Sequence, residues 1–292
     1  MANNKKKITI DSKFGGGLYS GFIIGYVLLS LVVGAILQAV GLVSNTLYTA
    51  ISLLVPILSV TAPVVLVSKK SGRKIFDVCM VKKFDPVYLL PSITISLGMF
   101  FGVGFINQLF ADFLTGIGAN VPQSLVIVTN IKEFILFTFL VGILPPIFEE
   151  VFFRGVLLGS LKKSHLLLSS TVVALCFAFY HASLVQLFYQ LIYGFVLSVL
   201  TIKSGSVIPS IISHFINNFL ILVLTYFFGI ENAVTEIYLI IIGVALLIGS
   251  VVFLLFYKQD KKKKTNESVT PFIAFASAGI ILCLIIAVVG VL

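Results

Sequence analysis

Apolar runs of membrane-spanning length dominate this chain of 292 residues. About nine windows of roughly 20 residues carry almost no charge, and a run of about 18 apolar residues is enough for a transmembrane helix. Hydrophobic residues make up 59% of the chain, charged residues only 11%, and the mean hydropathy is +1.15. A soluble domain of this length cannot bury so much apolar surface. The sequence therefore predicts an all-α, polytopic transmembrane helical bundle whose main partner is the lipid bilayer.

The apolar windows divide the chain into about eight to nine predicted spans. Their approximate positions are 17–43, 47–68, 87–109, 133–160, 166–184, 186–202, 206–228, 237–257 and 270–292. We divide the chain accordingly into an N-terminal tail (1–16), accessory helices (17–131) with a basic loop (69–86), a core rich in polar residues (132–228), and C-terminal helices (229–292) with a basic linker (258–268). That linker sets the last span apart, which suggests an accessory anchor.

The basic residues follow a pattern that reports topology. Of the 20 Lys and Arg residues, all but Lys132 and Arg154 fall in linkers that share one side if the spans alternate in direction. By the positive-inside rule, the N-terminus is cytoplasmic and the C-terminus is outside. The net charge of +9 is thus spread over short loops, and we expect no nucleic acid partner. We expect a multi-pass protein of the cell (plasma) membrane.

The basic loop 69–86 allows two interpretations. It mixes Lys and Arg with apolar residues such as Ile75 and Phe76, so it could lie along the lipid surface. A plain positive-inside loop explains the same composition.

Three predicted spans contain polar or ionisable side chains, which are unfavourable in a bilayer. The fourth span holds Glu149, Glu150 and Arg154, the fifth holds His181, and the seventh holds His214, Asn217 and Asn218. An ionisable group in the bilayer centre costs roughly 2.5–3.5 kcal/mol on insertion scales. Such groups therefore mark a candidate functional site.

Helical spacing sorts these groups into pairs. Glu150 and Arg154 are four residues apart, so they share a face and can form an ion pair, whereas Glu149 points about 100° away from Glu150. His214 and Asn218 also share a face, as do Phe177 and His181, so that Phe177 can wall one side of the imidazole. Glu150 is therefore predicted to be structural and Glu149 to be free for chemistry.

Depth and backbone both favour a shared pocket. Counted at about 1.5 Å per residue from the flanking basic residues, Glu149, His181 and His214 lie at similar depth in the membrane. Pro145 and Pro146 precede the glutamates and should kink or break the fourth helix. A broken helix inside a membrane needs a protein or water-filled surrounding, which predicts a hydrated pocket at the glutamates.

The motifs Glu149-Glu150-x-x-x-Arg154, Phe177-x-x-x-His181 and His214-x-x-x-Asn218, in this order, resemble those of the CAAX prenyl protease type II and bacteriocin-processing (Abi, CPBP) family of intramembrane proteases. The resemblance covers about residues 140–225 and makes 132–228 the catalytic core. It implies that Glu149 activates water, that His181 helps to hold this water, and that His214 and Asn218 stabilise the oxyanion. Glu150 and Arg154 would hold the helix in place.

The resemblance leaves the cofactor and the substrate open. Family members are often described as metallopeptidases, so zinc held by Glu149, His181 and His214 stands beside a metal-free glutamate mechanism. The implied substrate is a membrane-associated peptide or protein tail, with or without a lipid, and bacterial relatives act in bacteriocin immunity or peptide processing. A non-enzymatic immunity or regulatory protein and a proton-coupled transporter are the alternative functions.

Overall fold

The computed structural model is all-helical and describes residues 10–43, 46–121, 128–229, 236–257 and 267–291. Eight of its helices are long and apolar enough to cross a membrane: Ser12–Ala39 (α1), Thr46–Ser71 (α2), Pro86–Gly116, Ile131–Ser160, Leu187–Ser204 (α10), Ile208–Phe228 (α11), Ile237–Phe256 (α12) and Thr270–Val289 (α13). A further apolar helix, Leu166–Tyr180 (α9), has 15 residues. The prediction of an all-α, multi-pass integral membrane protein is confirmed.

Two of the spans are built from several helical segments. Residues 86–116 comprise a 3₁₀ turn followed by two α-helices: Pro86–Tyr88, Leu89–Val103 (α4) and Phe105–Gly116 (α5). Residues 131–160 alternate between α and π geometry: Ile131–Phe137 (α6), a π segment Thr138–Ile143, Leu144–Glu150 (α7), a π segment Val151–Leu157 and Leu158–Ser160 (α8). We call residues 131–160 the interrupted span. Single π turns inside α-helices are frequent at functional sites.

Local signals in the sequence explain where the helices of the core begin and end. Asn130 caps the interrupted span, since its side chain accepts hydrogen bonds from the amides of Lys132 and Glu133. Gly205 (φ +70°) and Gly229 (φ +64°) end α10 and α11 in the left-handed conformation that glycine adopts most easily. The elements that carry the predicted site therefore have defined ends.

The basic linkers meet at one end of the bundle. The Lys163 ammonium lies 2.7 Å from the Glu267 carboxylate, and the Tyr88 hydroxyl donates to the Lys203 carbonyl over 2.8 Å. A cavity of about 200 Å³ is lined there by residues from four parts of the chain: Ile10, Asp11, Ser71, Arg73, Ser160, Lys162, Lys163 and Glu267. We call this the basic end.

Two hydrogen bonds link described elements at the opposite end. Thr46, at the start of α2, donates to the Glu133 carboxylate over 2.8 Å, and the Asn120 amide donates to the Val291 carbonyl over 2.8 Å. Ile10 lies at the basic end and Val291 at the other, so the described chain ends on opposite sides of the bundle. Helix α9 therefore counts as a ninth crossing element, although at about 1.5 Å per residue it is shorter than the hydrocarbon core of roughly 30 Å.

The basic loop and the last helix are both packed onto the bundle. The loop contains only the short helix Ile75–Val78 (α3), and a Cβ added at Gly155 would approach the Cys79 carbonyl oxygen to 2.7 Å. Helix α13 packs along α1, where the Ser20 hydroxyl donates to the Phe275 carbonyl and accepts from the Gly279 amide. The last span thus packs against α1, where small residues on both helices let the backbones approach closely.

Candidate active site

A buried ion cluster lies at the centre of the predicted site. The Glu150 carboxylate accepts from the Arg154 guanidinium over 2.9 Å and lies 3.0 Å from His214 Nδ1. Glu150 and Arg154 are fully buried and His214 is 4% exposed. Arg154 also donates to the Gly194 carbonyl over 3.1 Å and lies over the Phe177 ring. The predicted Glu150–Arg154 pair is present, and it ties the interrupted span to α10 and α11.

Glu149 has a different environment from its neighbour. Its carboxylate is half-buried and lies near the Tyr180 hydroxyl and His214. No Lys, Arg or His in the described part of the chain lies within ion-pair distance of it. The acid that was expected to be free for chemistry is therefore separate from the ion cluster but close to it.

His181 ends α9 and has one ring nitrogen engaged. Its Nδ1 lies 2.8 Å from the Phe177 carbonyl oxygen, and because a carbonyl only accepts hydrogen bonds, Nδ1 must carry the proton. The Nε2 lone pair of the neutral ring makes no hydrogen bond to the described residues and can accept one from water. The edge-on Phe177 ring, with centroids 4.7 Å apart, walls one side of the imidazole as expected.

The residue after His181 has a strained backbone. Ala182 has φ +47°, in the left-handed region that residues with a Cβ rarely adopt. Such strain often accompanies functional sites, because the surrounding packing must hold it. At Ala182 the chain turns away from α9 directly after His181, whereas the apolar pattern predicts a span that continues to residue 184.

His214 is oriented in the same manner as His181. Its Nδ1 faces the Glu150 carboxylate, and aromatic rings from Phe177 and Tyr193 stand edge-on at centroid distances of 5.9 and 5.7 Å. With Nδ1 donating to the carboxylate, Nε2 is the ring atom left for other partners. A carboxylate behind an imidazole fixes its tautomer and its orientation.

Asn218 lies one turn beyond His214 on α11, but it faces a different partner. Its Nδ2 donates to the Val141 carbonyl oxygen over 3.0 Å. Its Oδ1 accepts from Asn217 Nδ2 over 3.4 Å, and the Asn217 Oδ1 in turn accepts from the Tyr189 hydroxyl over 2.6 Å. One of the two amide hydrogens of Asn218 is therefore used inside the fold.

The residues expected to hold zinc do not form a ligand set. Across the described ranges, no three His, Cys, Asp or Glu side chains come together closely enough to hold a metal ion. Glu149, His181 and His214 are included in this statement, so their prediction as a zinc site is not supported. The reason is local, because Nδ1 of His214 is turned onto Glu150.

Three tyrosines at the site were missed in the sequence analysis. Tyr180 and Tyr26 lie near the Glu149 carboxylate, and Tyr193 packs on His214. A hydroxyl in an apolar span usually has a hydrogen-bond partner, so each tyrosine in these spans was a detectable signal. Spacing did not show which partner each would find.

Comparison with known proteins gives one match. Residues 131–220 match the family model described as Type II CAAX prenyl endopeptidase Rce1-like. This range includes every polar residue of the site described above except Tyr26. Neither a curated protein nor a solved structure matches the chain.

Proposed function

Because residues 131–220 make this chain a member of the type II CAAX prenyl endopeptidase Rce1-like family, we propose that it is an intramembrane endopeptidase with Glu149 as its general base. The substrate is a peptide bond in a membrane-associated peptide or protein tail. The proposed location of the protein is the cell (plasma) membrane. Membership in the family supports an intramembrane protease in general, and the residue roles are our proposal.

The proposed reaction uses water as the nucleophile. Glu149 takes a proton from a water molecule that His181 Nε2 holds, and the resulting hydroxide attacks the carbonyl carbon of the peptide. Protonated His214, through Nε2–H, and the remaining amide hydrogen of Asn218 donate to the oxyanion that forms. Glu149 then delivers its proton to the leaving nitrogen as the C–N bond breaks, which leaves a carboxylic acid and an amine and returns Glu149 to its ionised form. No step of this scheme requires a metal.

One observation carries the proposal: the two adjacent carboxylates have different partners. Glu150 contacts both Arg154 and His214, while Glu149 forms no ion pair with the described residues. An ion-pair cluster that served packing alone would not require a second, half-buried acid. Inserting that acid in the membrane costs free energy. A general base needs this combination of accessibility and an unpaired lone pair.

The experiment compares Glu149→Gln with wild type in proteoliposomes that contain a fluorogenic membrane-anchored peptide. We expect Glu149→Gln to lower kcat by at least about 10²-fold, the lower end of what a general base contributes. We expect normal protein levels and unchanged thermal unfolding, since no ion pair is lost. His181→Ala should give a loss of similar size.

Glu267→Gln is the matched control, because it changes an exposed carboxylate at the basic end and should leave cleavage unchanged. Both prenylated and unmodified peptides are used, so that the lipid requirement is measured in the same assay. Full cleavage by Glu149→Gln would refute the proposal. If neither wild type nor any variant cleaves the peptides, and Glu149→Gln equals wild type in a bacteriocin-immunity assay, the protein would instead be a binding protein.

A further inference from the structure

The proline pair leaves one carbonyl of the interrupted span without a backbone donor. In an α-helix the Val141 carbonyl would accept from the amide of residue 145, and in a π-helix from that of residue 146. Both positions are proline, which has no N–H. The Val141 carbonyl is therefore unsatisfied in either register, and an unsatisfied backbone group is unfavourable inside a membrane.

Asn218 supplies the missing donor from a neighbouring helix. Its Nδ2 lies 3.0 Å from the Val141 carbonyl oxygen. The Val141 carbonyl can only accept a hydrogen bond, which sets the orientation of the Asn218 amide, and the bonds from Tyr189 to Asn217 and from Asn217 to Asn218 agree with that orientation. In that orientation the Asn218 amide nitrogen, and not its oxygen, faces Val141.

We propose that Asn218 is a positioning residue that completes the interrupted helix at Val141 and thereby fixes α11 against the segment that carries Glu149. Two ties then join these elements: Asn218 to Val141, and His214 to Glu150. The order of the partners is reversed between the two helices, as expected for antiparallel neighbours. We call the Asn218–Val141 hydrogen bond the brace. One turn of α11 separates His214 from Asn218, so the brace keeps the imidazole at the level of the glutamates.

The consequence for catalysis rests on the proposed function, whereas the brace itself does not. The family resemblance assigns Asn218 to the oxyanion, which uses its second amide hydrogen. The brace predicts in addition that Asn218 matters because residue 145 is proline. Replacing that proline with a residue that has an N–H should therefore reduce the need for Asn218.

A double-mutant cycle tests this dependence. Asn218→Leu keeps the branching of the side chain but removes the donor, and we expect it to lower the Tm in detergent by about 2–6 °C. In the Pro145→Ala background, where the amide of residue 145 can bond Val141, the same change should lower the Tm by less than half as much. Pro56→Ala, which removes a proline inside α2, is the matched control and should give no rescue.

The kcat values of the same four proteins (wild type, Asn218→Leu, Pro145→Ala and the double variant) provide a second test. If Asn218 acts by position, Asn218→Leu lowers kcat, and Pro145→Ala restores at least about a tenfold part of the loss together with the Tm. An equal Tm loss in both backgrounds would overturn the brace. A restored Tm with no recovery of kcat would overturn the positioning role and leave Asn218 as an oxyanion donor only. Should Glu149→Gln remain active, the protease proposal fails while the Tm result still decides the brace.

Discussion

At the scale of residues, the site separates two adjacent acids by their partners. Glu150 is fully buried and contacts both Arg154 and His214, whereas Glu149 is half-buried and lies near Tyr180. A buried charge without a partner costs several kcal/mol, so the Glu150 cluster has to remain intact for the fold to be stable. Glu149 carries no such structural burden, and its substitution should affect chemistry alone.

Arg154→Met should destabilise the protein strongly. The substitution leaves the buried Glu150 carboxylate without its main cation, and breaking a buried pair in this way costs about 3–5 kcal/mol. We expect a lower protein level in the membrane and a lower Tm in detergent. The double variant Glu150→Gln/Arg154→Met removes both charges and should recover at least half of the loss. A single Arg154→Met variant as stable as wild type would contradict the structural role of the pair.

At the scale of elements, glycines allow backbones to touch where the spans pack most closely. The GxxxG pair on α4, Gly98 and Gly102, faces Gly243 of α12. A Cβ at Gly98 would lie 2.8 Å from the Leu247 backbone nitrogen, and one at Gly102 would collide with the backbone of Gly243 and Val244. Small residues at such contacts are typical of membrane bundles.

Gly102→Ala should therefore force α4 and α12 apart. The obstacle is backbone, which cannot move aside as a flexible side chain would, and overpacking of this kind costs about 1–3 kcal/mol. Gly34→Ala is the control, since a Cβ at that position of α1 meets nothing within 4 Å. Thermal unfolding of both variants in the same detergent should show a loss for Gly102→Ala only. Equal Tm values for the two would mean that the α4–α12 contact is looser than described.

At the scale of the whole molecule, the basic linkers converge although they are far apart in the chain. Lys163 meets Glu267, and Lys203 and Lys82 accept hydrogen bonds through their carbonyl oxygens from Tyr88 and Ser206. One end of the bundle is thus strongly basic. The positive-inside rule then predicts that this end faces the cytoplasm.

Cysteine labelling should reveal this orientation. Cys79, Cys176 and Cys283 are all buried, and each is replaced by Ala to give a cysteine-free background. A membrane-impermeant maleimide added to intact cells should then label Glu236→Cys, at the opposite end, but label Lys162→Cys only after permeabilisation. The reverse pattern would invert the predicted orientation. Labelling of both from outside would contradict the alternating crossings.

The sequence by itself determined the class of fold and one contact of the site. The length of the apolar runs predicts the spans, because the bilayer thickness sets how many residues a helix needs. The Glu150–Arg154 pair also follows from sequence, since positions four apart in one helix are neighbours whatever surrounds them. The proline pair correctly indicated an interruption, although the chain continues there as a π segment and does not end.

Only the tertiary structure decided which helices meet and which faces they present. That His214 pairs with Glu150, that Tyr180 lies near Glu149 and that Asn218 reaches Val141 depends on how each helix is rotated about its axis. Apolar periodicity reports such rotation in soluble proteins, because one face meets water. In a membrane both the lipid-facing and the buried faces are apolar, so the rotation is left to packing between helices that are distant in sequence.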